Sequence, residues 1–125
     1  MKRLYLVTAM LVLGLVTIQA QAHRFAPSLF RINETGTEQY RVLWKTPQKA
    51  ASAVPLRPVL PESCAGESAG APEFEGTGVV VVWNVRCEGG LVGRTVGVTG
   101  LAENRASVMA MIELADGRLL QASLS

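Results

Sequence analysis

Val108-Met109-Ala110-Met111-Ile112-Glu113-Leu114, Ala115-Asp116-Gly117-Arg118 and Leu119-Leu120-Gln121-Ala122-Ser123-Leu124 form the continuous stretch whose pattern decides the fold. Val108, Ala110, Ile112 and Leu114 recur at every second position, the period of a strand with one face buried. Asp116-Gly117 is a dipeptide favoured in tight hairpin turns, because glycine reaches positive φ without steric cost. Leu120, Ala122 and Leu124 continue the alternation on the far side of the turn. The stretch therefore predicts an antiparallel hairpin, with Met109 and Met111 together on the face opposite the core.

The same period governs the preceding sequence. Val79, Val81, Trp83 and Val85 share one side of a predicted strand, and Val80, Val82, Asn84 and Arg86 share the other. Phe30 and Ile32, a turn at Thr35-Gly36-Thr37, and Tyr40, Val42 and Trp44 predict another hairpin. Thr95 to Thr99 predicts a short strand with Val96 and Val98 inward. Val54 to Pro61 alternates as well, but Pro55, Pro58 and Pro61 cannot donate ladder hydrogen bonds, which assigns the segment to an edge or an extended connection. From Cys64 to Gly78 the composition turns to Gly, Ala, Ser, Pro and Glu, predicting a long surface loop. No stretch holds a helical period for three turns. The pattern predicts an all-β domain, a small antiparallel β-sandwich of immunoglobulin-like type, in which Trp44 and Trp83 anchor the core.

The N-terminus has a different character. Lys2 and Arg3 precede an apolar run from Leu4 to Ile18, and Ala20-Gln21-Ala22 completes the pattern of a secretory signal peptide over residues 1–22. The run is shorter than the roughly 20 residues that span a bilayer, so cleavage is expected, with retention as a membrane anchor the alternative. The expected product is a single domain, residues 23–125, delivered to the periplasm or beyond. Lys2 and Arg3 leave with the signal, so the 12 Lys+Arg and 10 Asp+Glu of the full chain become balanced. No cluster of basic and aromatic residues remains to suggest a nucleic-acid surface. Cys64 and Cys87 in an exported chain predict one disulfide, since oxidising compartments favour the bridge.

Cleavage after Ala22 makes His23 the terminal residue. A free α-amine beside an imidazole offers nitrogen donors that suit Ni(II) or Cu(II), so His23 is the candidate metal ligand. It is the chain's one histidine, and any further donors, such as Glu73, Glu75, Met109 or Met111, depend on the fold. Glu73 and Glu75 otherwise read as solvated charges, and the methionines as adaptable apolar contacts. With no GxSxG or phosphate-loop spacing, catalysis is not expected.

His23-Arg24-Phe25-Ala26-Pro27-Ser28-Leu29, Val42-Leu43-Trp44-Lys45-Thr46-Pro47, and Leu56-Arg57-Pro58-Val59-Leu60-Pro61 followed by Cys64 occur in this order. Trp83-Asn84-Val85-Arg86-Cys87, Gly90-Leu91-Val92-Gly93 and Glu113-Leu114-Ala115-Asp116-Gly117-Arg118 follow them. Together these segments resemble the extracytoplasmic N-terminal region of HupE/UreJ-type bacterial membrane proteins. The resemblance implies a periplasmic domain preceding a multi-helix membrane unit, in a family linked to nickel or cobalt uptake. No transmembrane helices follow the domain in the sequence to Ser125, so transport by the chain alone is not expected. A truncated, split or stand-alone form are the alternatives. Two functions are expected to compete: a domain presenting a metal through His23, and a metal-free module docking on a membrane protein through Leu43, Val80, Val82, Met109 and Met111.

Overall fold

A computed structural model describes residues 28–67 and 69–125. It contains nine strands, β1 Ser28–Gly36, β2 Gln39–Pro47, β3 Arg57–Val59, β4 Cys64–Gly66, β5 Glu73–Glu75, β6 Gly78–Cys87, β7 Gly97–Thr99, β8 Val108–Glu113 and β9 Leu119–Leu124, with a single helical turn, α1 Leu101–Asn104, between β7 and β8. The domain is all-β with one disulfide. The signal segment and His23 lie outside the described residues.

The main sheet runs β4-β6-β2-β1-β8-β9, with β5 also paired to β6. The alternation seen in the sequence fixes its two faces. Phe30 and Ile32 of β1, Tyr40, Val42 and Trp44 of β2, Val85 and Cys87 of β6, and Val108 of β8 are buried in one cluster. Phe30 meets Trp44 edge to face, with centroids 5.9 Å apart and planes at 88°, the arrangement the ring quadrupoles favour. The layer over this cluster is small. β3 and β7 make a two-stranded antiparallel sheet, and Leu56, Leu60, Val96, Val98 and Leu101 pack from it and its flanks onto the core. The sandwich is thus unequal, a broad sheet faced by a narrow one.

Three local expectations change. The first hairpin turns at Thr37 and Glu38, after the pairing of Gly36 with Gln39, and Glu38 holds the left-handed conformation with φ of 60°. The region from Cys64 to Gly78 is more than a loop, since β4 and β5 pair along the outer edge of β6. β1 and β8 pair in parallel, whereas every other strand pair is antiparallel. An alternating pattern states which side chains share a face but leaves the choice of neighbour and direction open, and β1 and β8 are too far apart in the chain for a turn to set it.

The C-terminal hairpin forms as its residues require. Leu114 N–H donates to Arg118 O at 2.9 Å and Gly117 N–H to Leu114 O at 2.9 Å, enclosing a three-residue turn in which Gly117 takes φ of 88°. This is the type I turn plus left-handed residue common in hairpins of this length.

Candidate interaction face

The face of the main sheet turned away from the core collects residues from five strands, β6, β2, β1, β8 and β9. Register places Val80, Lys45, Leu29, Met109 and Ser123 side by side in one row. Val82, Leu43, Arg31, Met111 and Gln121 make the next, and Asn84, Arg41, Asn33, Glu113 and Leu119 the third. Leu43, Val80, Val82, Met109 and Met111 therefore share one face, although β6 and β8 stand about 14 Å apart across the two intervening strands.

Leu29, missing from the sequence-based set, sits between these two groups. It precedes the buried Phe30 by one position, so the alternation already assigned it to the outer side. The basic residues on this face could also be read from that alternation, but their neighbours could not. Among the described residues, none of the elements that cover the core lies over this face. Leu29, Leu43, Val80, Val82 and Met111 are half-buried, and Met109 is 40% exposed.

The apolar positions are interleaved with charge rather than forming an unbroken patch. Arg31 pairs with Glu113 at 3.2 Å, and Asn33 Nδ2 donates to the same carboxylate oxygen at 2.8 Å. Lys45 pairs with Glu75 at 2.8 Å. These pairs are exposed and each contributes little stability, but they link β1 to β8 and β2 to β5. Arg41 stands in the third row between Asn33 and Asn84, exposed and without an ion pair among the described residues.

Of the other candidates, Glu73 and Glu75 reach the edge of the same face, because register sets Glu73 opposite Val80 and Glu75 opposite Gly78, whereas the cysteines lie at the end of β6. Cys64 and Cys87 are directly opposed on β4 and β6 and form the disulfide, which ties the Gly/Glu-rich segment to the end of β6. Glu73 and Glu75 are exposed on β5, and Glu75 serves Lys45. Among the described residues no three His, Cys, Asp or Glu side chains gather as a metal would require. A cavity of about 330 Å³ lies on the far side of the domain, lined by Thr46, Pro47, Lys49, Leu56, Asn104 and Arg105 among others, and opens beside Ser28.

Compared with known proteins, the chain matches no family model and no curated protein.

Proposed function

We propose that this chain is an exported interaction domain that docks on a membrane protein through the outer face of its main sheet. One observation carries the proposal: six apolar side chains, Leu29, Leu43, Val80, Val82, Met109 and Met111, converge on a face that no described element covers. Apolar side chains interleaved with polar and charged ones match the composition of a non-obligate protein interface, which is about as apolar as ordinary surface. Two methionines add adaptable contacts. Arg41 gives the face a positive charge to be met, so the partner surface presents apolar side chains flanked by a carboxylate. The signal-like N-terminus supports an extracytoplasmic setting, and the resemblance to HupE/UreJ-type proteins supports a membrane-embedded partner.

The test is photo-crosslinking in cells, with a benzophenone amino acid placed at Met111 on the outer face or at Val92 away from it. The expected result is an adduct with an integral membrane protein from position 111 only, suppressed by Arg41→Glu. Equal adducts from both positions, or an adduct at position 111 that is indifferent to Arg41→Glu, overturn it.

A second proposal follows from Ala20-Gln21-Ala22 preceding His23: the terminal amine and imidazole present Ni(II) or Cu(II) to the same partner. Calorimetric titration of protein beginning at His23, beside a control with one additional N-terminal alanine, tests it. One-to-one binding confined to the first supports metal presentation, and equal or absent binding refutes it.

A further inference from the structure

The two edges of the main sheet are finished differently. On one side, β6 is capped by β4 and β5, three residues each, with Glu67, Gly70 and Pro72 between them and Glu73 and Glu75 on β5. Short strands, proline and charge are the usual means by which an edge is kept from pairing with another chain. On the other side stands β9, six residues of sequence Leu119-Leu120-Gln121-Ala122-Ser123-Leu124. It contains no proline and no charge, and among the described strands it pairs only with β8.

The outward backbone groups of β9 can be named. Arg118 directs its carbonyl to Leu114 on the β8 side, and groups alternate along an antiparallel strand. Leu120, Ala122 and Leu124 therefore also turn their backbone toward β8, whereas Leu119, Gln121 and Ser123 turn theirs away from the sheet. Their side chains divide the other way. Leu120 and Ala122 lie on the core side, opposite Ile112 and Ala110, yet the narrow covering layer ends before reaching them. Leu120 remains 52% exposed.

We propose that β9 pairs with β9 of a second copy of this chain, antiparallel, about a two-fold axis through Ala122. In this register Gln121 exchanges backbone hydrogen bonds with the second copy's Ser123, and Ser123 with the second copy's Gln121, about four bonds in all. The core-side row becomes self-complementary: Leu120 lies against the second copy's Leu124, and Ala122 against its own equivalent. A two-fold interface needs one patch that matches itself, and an uncharged strand with leucines two positions either side of alanine supplies it without bringing like charges together. The axis is normal to the sheet, so both outer faces point the same way. A dimer thus presents two copies of the outer face side by side, in the geometry that raises avidity for a partner.

The test uses the protein beginning at His23 with β9 intact. Light scattering across the micromolar range should give twice the chain mass. Gln121→Pro should return it to one chain mass, because this proline removes an outward N–H and leaves the β8 ladder intact. Independently of how that variant folds, Ala122→Cys should form an intermolecular disulfide on mild oxidation, since directly opposed side chains of a non-hydrogen-bonded pair stand within bridging distance. Gln121→Cys, facing Ser123 instead of itself, should not. A wild-type chain that is monomeric throughout, or a dimer in which Gln121→Cys bridges as readily as Ala122→Cys, overturns the proposal.

Discussion

The hydroxyl of Tyr40 accepts a hydrogen bond from the backbone N–H of Leu91 at 3.0 Å within the core, joining β2 to the segment that follows β6. Both residues are buried, Tyr40 at 2% and Leu91 at 5% exposure, so this N–H has no water to replace a lost partner. Tyr40→Phe keeps the ring and removes the acceptor. We expect a loss of about 1–3 kcal/mol in stability, read from the midpoint of urea unfolding with the slope unchanged. A variant as stable as the wild type would show that the N–H finds another acceptor.

The bridge between Cys64 and Cys87 closes a separation of 23 residues. Restricting the unfolded chain in this way stabilises a fold by roughly 3 kcal/mol. The double variant Cys64→Ala/Cys87→Ala is expected to lose about that much, while native-state hydrogen exchange should find the protection of β4 falling before that of β1 and β2. Unchanged stability of the double variant would assign the anchoring of β4 to its three backbone pairs with β6.

Gly100 precedes α1 with φ of 82°, and a Cβ at this position would stand 2.6 Å from the carbonyl oxygen of Pro55. Gly117 has the similar φ of 88° but open space around it. Gly117→Ala should therefore cost only the left-handed conformation, about 1 kcal/mol. Gly100→Ala adds a clash with backbone, and we expect a loss of about 2 kcal/mol or more. Thermal unfolding of the two variants side by side checks the order, and equal losses would count against the clash.

Asp116 is held below the ordinary carboxylate range, first by the backbone N–H of Arg118 and then by that residue's side chain. A lowered pKa in the folded state means that the ionised carboxylate is the stabilising form. Its contribution is complete above the unfolded value and is lost as the pH falls through the folded one. Asp116→Ala should accordingly be less stable than the wild type near neutrality, with the two unfolding midpoints converging in acid. A gap that stays constant with pH would refute this origin.

The strands themselves were legible in the sequence because a period of two in side-chain character is local information. Val108, Ala110, Tyr40, Val42 and Val85 fall at alternate positions of their strands, and each is buried. Asp116-Gly117 marked its turn for the same reason, and Gly117 holds positive φ. The sharing of one face by Leu43, Val80, Val82, Met109 and Met111 followed from the same parity. Only β4 and β5 escaped, because three residues each, Cys64-Ala65-Gly66 and Glu73-Phe74-Glu75, are too few to show a period.

The order of the strands came from the tertiary structure alone. Parity tells which side a residue faces, but hydrogen bonds between distant strands determine who stands beside whom. Nothing near Arg31 in the chain specifies that Glu113 lies next to it, 82 residues on, and nothing in β1 announces a parallel neighbour. The same holds for the sheet edge: Leu119 to Leu124 reads as an ordinary strand, and only its terminal place in the sheet leaves one side of its backbone without a partner among the described residues. Sequence by itself determined the longer strands, which of their side chains share a side, and the pairing of the two cysteines. The tertiary structure decided adjacency, because adjacency is set by packing between parts of the chain that no local pattern connects.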